Sequence, residues 1–100
     1  MINSIKKGKA GEREFANFCN KVGFKCRRGQ QYSGLGGDDV VGLEGFHIEV
    51  KRVEKLNIDN AMKQSIDDSK GNIPIVAHRK NRKDWLVTLR AEDFLKLIKT

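Results

Sequence analysis

Three residues in the stretch 38–51, DDVVGLEGFHIEVK, have the types and spacing for chemistry: Asp39, Glu49 and Lys51. From Phe46 to Lys51 apolar and ionisable residues alternate, so an extended chain sets Phe46, Ile48 and Val50 on one face and His47, Glu49 and Lys51 on the other. That pattern predicts a half-buried strand with a polar face open to solvent. Two carboxylates set opposite each other on a hairpin repel unless a cation lies between them, and their oxygens suit Mg2+ with several waters retained. Lys51 emerges beside Glu49, where an ammonium can orient or help deprotonate water, or offset charge developing on a phosphate. The chemistry this predicts is phosphodiester hydrolysis. An E-x-K triplet alone also fits an ordinary exposed sheet face, so the supporting elements decide its meaning.

The partner strand for Phe46–Lys51 is the run Asp39-Val40-Val41-Gly42-Leu43, with Gly45 at the turn. Register decides which residue meets Glu49. A two-residue Glu44-Gly45 turn sets Val40 opposite Glu49. A three-residue loop Leu43-Glu44-Gly45, closed by a glycine bulge, sets Val40 opposite Ile48 and Asp39 opposite Glu49. Charge segregation at Asp39 favours the second only weakly, since Val41 then joins the polar side.

Upstream, residues from about Lys7 to Val22 read as a helix, with Phe15, Phe18, Cys19 and Val22 on one face and Gly23 as its stop. Glu12 falls on the edge of that apolar stripe and leans inward, whereas Glu14 points away. Phe24–Arg28 alternates as a short strand. Gly29–Gly37 is a loop that faces the ligand, and it lacks the GxxxxGK[ST] pattern of a nucleotide-binding turn. Downstream, Asn57 or Asp59 caps a helix whose buried stripe is Ile58, Ala61, Met62 and Ile66, ended by Gly71. Ile73–Ala77 is a nearly continuous apolar run, which places it at the centre of the sheet. Trp85–Leu89 follows as a strand, and Ala91–Lys99 as an amphipathic helix whose Phe94, Leu95, Leu97 and Ile98 pack on the sheet or on a second subunit. The predicted order is helix, three strands, helix, two strands, helix.

With 100 residues and 38% apolar content, a single domain over residues 1–100 is expected, near the lower limit for a self-sufficient core, so a homodimer is plausible. No run of about 18 apolar residues suits a membrane span, and Lys6, Lys7 and Lys9 are not followed by the apolar stretch of a secretory signal. A cytoplasmic protein is expected, with Cys19 and Cys26 as reduced, packed thiols rather than zinc ligands. Twenty Lys and Arg against thirteen Asp and Glu give a formal net charge of +7, which points to a polyanionic partner. The segment His78–Asp84 concentrates this charge in Arg79, Lys80, Arg82 and Lys83, all suited to phosphate contacts.

With Gly8-Lys9-Ala10-Gly11-Glu12-Arg13-Glu14-Phe15 on the first helix, Asp39-Val40-Val41, and Ile48-Glu49-Val50-Lys51, the chain resembles the PD-(D/E)XK nuclease superfamily. Within it the chain is similar to the small Holliday-junction resolvases of archaea and their phage-encoded relatives. The resemblance covers nearly the whole sequence and implies an α/β (α+β) fold of the restriction-endonuclease type, an αβββαβ core with a mixed central sheet flanked by helices.

It further implies that Asp39 and Glu49 bind Mg2+, for which Mn2+ can substitute, that the Val50 carbonyl adds a ligand, that Lys51 serves the attacking water, and that Glu12 acts at one remove through water. Asp39 rather than Asp38 matches the aspartate motif, because apolar residues follow it at once; that match selects the three-residue loop. Ser33 corresponds loosely to a serine near the scissile phosphate, and Gln64 to a glutamine that some branches place by the site. Asp38 stands where the superfamily's name has proline.

The activity implied is in-line attack of water that leaves a 5′-phosphate and a 3′-hydroxyl, with DNA, a four-way junction or other branched form, as substrate. Lys9, Arg13, Arg28, Arg52 and the 79–83 loop would neutralise its phosphates. Two other readings remain at this stage: a nuclease of the same fold acting on flaps or nicked DNA, and a DNA-binding module that has lost catalysis.

Overall fold

Phe15, Ala16 and Cys19, spaced to share one helical face, are the buried residues of the first helix, α1 (Ser4–Lys21). The protein is represented by a computed structural model that describes residues 4–29 and 37–99. Helix α1 begins before the expected Lys7, and the outer members of the expected stripe stay exposed, Phe18 at 45% and Val22 at 66%. Its end is closed by the Phe24 N–H, which donates to the Cys19 carbonyl at 3.2 Å. The Asn20 side chain then clamps the next segment, donating to the Cys26 carbonyl at 3.0 Å and accepting from the Cys26 N–H at 2.6 Å. Only Arg27–Arg28 of the expected Phe24–Arg28 strand is extended and paired, as β1.

The remaining elements are β2 (Val40–Val41), β3 (Phe46–Arg52), α2 (Ile58–Asp68), β4 (Ile73–Arg79), β5 (Leu86–Leu89) and α3 (Ala91–Lys99), in the predicted order. Strand β4 is central: it pairs with β3 in parallel, Glu49 beside Val76, and with β5 antiparallel. The three-stranded sheet is therefore mixed, and the fold is α+β.

Parallel pairing requires a crossover, and α2 supplies it. The same crossover overturns the expectation of a half-buried β3. His47, Ile48, Glu49 and Val50 are all buried, because one face of the strand packs on α1 and the other lies under α2. On the α1 side, Phe15, Ala16 and Cys19 form the core with Val40, Ile48, Val50, Ile75 and Ala77. On the α2 side, Ala61 and Ser65 are the buried helix residues, not the full stripe of Ile58, Ala61, Met62 and Ile66. Fully buried Ser65 satisfies its hydroxyl by donating to the Ile75 carbonyl at 2.9 Å. Asn57 is the cap, accepting from the Asn60 N–H at 3.1 Å.

Neither expected hairpin register describes the join of β2 to β3. The Leu43 carbonyl accepts from the Phe46 N–H, so the turn is centred on Glu44-Gly45, with Gly45 at φ +87°. A continuous ladder from that turn would bring Val40 to Glu49, yet the Asp39 N–H donates to the Ile48 carbonyl. The strand leaves the ladder between these points, and β2 pairs instead with β1, Arg28 beside Val40. No helix among the described residues is long and apolar enough to cross a membrane.

Candidate active site

Three elements deliver carboxylates to one place: α1 brings Glu12, the β1–β2 join brings Asp39, and β3 brings Glu49. Asp39 is 8% exposed and Glu49 is 2% exposed. The Asp39 carboxylate accepts the Val50 N–H at 2.8 Å, which fixes it against β3 by side chain rather than by ladder. Asp39 and Glu49 thus meet as the sequence suggested, although the predicted backbone register does not bring them there.

The two carboxyls are close enough for the charge of Asp39 to act on Glu49. Burial pushes the Glu49 carboxyl up to about 8, with Asp39 adding to the rise, Lys51 opposing it and Asp68 contributing a little more. A buried acid pair of this kind is an oxygen donor set that a divalent cation would relieve, so the residues fit the Mg2+ that the resemblance implies.

Glu12 approaches the same site but is held by Arg28, whose Nε donates to its Oε2 at 2.9 Å. Burial raises its carboxyl, the Arg28 hydrogen bond opposes that rise, and Asp39 adds to it. Lys51 Nζ donates to Gln64 Oε1 at 3.2 Å, so Gln64, exposed on α2, reaches the lysine of the motif.

The basic residues divide into two groups. Lys9, Arg13, Lys80, Arg82 and Lys83 are exposed. Arg28 is tied to Glu12, while Arg52 and Arg79 both pair with Glu14. Glu14, expected to point away, therefore joins the end of β3 to the end of β4. Ser33 lies outside the described residues.

Two polar groups, one buried and one half-buried, escaped the sequence reading. His47, 2% exposed, sets its Nδ1 against the Asp38 carboxylate and its Nε2 2.9 Å from Glu49 Oε1. Asp68, at the end of α2, completes a group in which one ligand atom each from His47, Glu49 and Asp68 lie within 4.8 Å of one another. His47 was findable, since it precedes Glu49 by two positions on a strand and so shares its face. Asp68 was not, because its place depends on how α2 crosses the sheet.

No family model matches the sequence, and no curated protein matches it. The fold is similar to the 1.6 Å structure of Hjc, a Holliday junction resolvase from the archaeal hyperthermophile Archaeoglobus fulgidus. The TM-score is 0.62 and the identity 26%, over 83% of this chain and 72% of that one. The likeness read from the three motifs is thus borne out in three dimensions: the chain is a structural relative of an archaeal Holliday-junction resolvase of the PD-(D/E)XK nuclease superfamily.

Proposed function

We propose that this protein is a Mg2+-dependent endodeoxyribonuclease of branched DNA, with the four-way junction as its substrate, acting as a homodimer of single-domain subunits in the cytoplasm. The observation that carries the reading is the buried Asp39–Glu49 carboxyl pair with Lys51 following Glu49 on the same strand. Similarity to a junction resolvase supports a nuclease function, and the acid pair supports a metal-dependent one.

In this reading Asp39, Glu49 and the Val50 carbonyl hold the ion, which when bound supplies Lewis acidity and helps to position the scissile phosphate. The Val50 N–H locks Asp39 in place, so that carboxylate is preorganised before DNA arrives. Lys51, steadied by Gln64, orients the attacking water and offsets charge developing on the phosphate. Glu12, held by Arg28, orders water next to Asp39. Lys9, Arg13, Lys80, Arg82 and Lys83 neutralise backbone phosphates, so binding falls steeply with salt.

The dimer reading rests on a separate face. Phe18, Val22, Phe24, Leu86, Val87, Phe94, Leu95, Leu97 and Ile98 are exposed large apolar residues, between 41% and 66%. Phe18, Val22, Phe24, Val87, Phe94 and Leu97 lie together, whereas Leu86 points to the other side of β5. Several of them line an apolar groove of about 750 Å3.

A panel of four-way, flap, nicked and linear DNA in Mg2+, Ca2+ or EDTA tests the function. The four-way junction should be cut by paired, symmetric incisions in Mg2+ alone; preference for flaps or nicked duplex would shift the substrate, and no cleavage of any form would remove the activity. In sedimentation the parent should be a dimer and Leu97→Asp a monomer that loses paired cutting. A monomeric parent would contradict the dimer.

A further inference from the structure

Glu49 faces more than Asp39. Its Oε1 lies 2.9 Å from His47 Nε2, and Asp68 brings a third ligand atom within 4.8 Å of both. The 2.9 Å between the imidazole nitrogen and the Glu49 oxygen matches neighbouring positions around a small divalent ion, whose bonds of about 2.0–2.2 Å place adjacent ligands roughly 3 Å apart, and the Asp68 carboxylate would close in on the ion as a third ligand. The arrangement behind the imidazole points the same way. Its Nδ1 is engaged by the Asp38 carboxylate, which leaves Nε2 as the ring nitrogen turned toward Glu49. A histidine that ligates a metal is held in this manner, by a carboxylate on its other nitrogen that fixes the tautomer and ring orientation. Asp38 does not belong to the Asp39 pair, and this gives it a role.

We propose that His47 Nε2, Glu49 and Asp68 form a second divalent-cation site, distinct from that of Asp39, Glu49 and the Val50 carbonyl and selective for a first-row transition ion. The nitrogen ligand sets the selectivity, since Mg2+ strongly prefers oxygen whereas imidazole suits the transition ions. His47 and Glu49 are each 2% exposed, and half-buried Asp68 marks the side from which an ion enters. The proposal deepens the proposed nuclease site, because it rests on Glu49 as a metal ligand, here shared between two ions. The buried Cys19 thiol does not compete for the ion: burial pushes it up to about 11, so it remains protonated at neutral pH.

Calorimetric titration of the metal-free protein with Co2+, followed in parallel by visible absorption, is the test. The parent should bind two ions per chain. Asp68→Asn, on a half-exposed helix end, and His47→Gln should each weaken one of them at least tenfold. Asp38→Asn should weaken the same ion by about 10- to 100-fold by releasing the imidazole. Asp39→Asn should remove the other ion only. Co2+ titrations of Asp68→Asn and His47→Gln that superimpose on the parent's would overturn the second site while leaving the nuclease reading intact. His47- and Asp68-dependent Co2+ binding in a protein that cuts no DNA would do the reverse.

Discussion

Glu49→Gln is expected to abolish cleavage, by roughly a thousandfold or about 4 kcal/mol of transition-state stabilisation, and at the same time to make the metal-free protein more stable at pH 8. The two effects have one cause. Glu49 is buried beside Asp39 and its carboxyl is raised from 4.5 to about 8, first by burial and then by that neighbour. An acid whose folded pKa lies above its unfolded value binds its proton more tightly in the native state. The stability it contributes is fully present below about pH 4.5 and is lost as pH rises through about 8. Melting temperatures of the metal-free parent should therefore fall across that window, by an amount worth a few kcal/mol, and Glu49→Gln should flatten the profile. Mg2+ at a hundredfold excess over its dissociation constant should restore about 2.7 kcal/mol in the parent and little in the variant. A parent whose stability is flat from pH 4.5 to 8 would show that the acid pair is not strained.

The second large effect is expected at Gly29, which shares no atom with the chemistry. A Cβ built there would lie 1.9 Å from the Asp38 carbonyl oxygen, and the Gly29 N–H already donates to the Asp39 carbonyl at 2.8 Å. Backbone cannot give way as the end of a flexible side chain can, so Gly29→Ala must push β1 from β2 and move Asp39 with it. A loss of about 3 kcal/mol is expected. For a domain of this size, at about 4–8 °C per kcal/mol, that lowers the melting temperature by roughly 12–24 °C. Cleavage should drop even at temperatures where the variant remains folded. Gly8→Ala, where a Cβ meets nothing within 4 Å, serves as the control and should stabilise α1 by about 0.5–1 kcal/mol. Equal melting temperatures for Gly29→Ala and the parent would mean that Gly29 does not position Asp39.

Local pattern carried the element order and the central place of β4, because these depend on periodicity, length and turn residues. The burial of both faces of β3 was not legible. An alternating strand reads as half-exposed, and only its parallel pairing with β4, which requires α2 to cross over, puts His47 and Glu49 out of water. The register of β2 failed for a related reason. Counting from a turn assumes a continuous ladder, whereas here Asp39 is fixed by a side-chain bond to Val50 and β2 is drawn to β1. On the α1 wheel Glu14 points away from the apolar stripe, yet it pairs with Arg52 and Arg79, long side chains that reach it from the sheet. Pattern along one element cannot anticipate a partner supplied by another.

The three-motif likeness reaches further than local pattern, since it names Asp39, Glu49 and Lys51 without their geometry. What it leaves out is specific to this chain: His47 between Asp38 and Glu49, and Asp68 at the end of α2. The exposed apolar face that includes α3 belongs to the same class, as its residues read from sequence as packed against the sheet or a second subunit.

The central claim is that Asp39 and Glu49 make this fold a metal-dependent nuclease of branched DNA. Its most direct measurement is cleavage of an end-labelled four-way junction in Mg2+ by purified parent and Asp39→Asn proteins, with junction binding by both followed in Ca2+. The account predicts paired cuts by the parent, none by the variant, and similar binding by both. Cleavage by Asp39→Asn at the parental rate would contradict it.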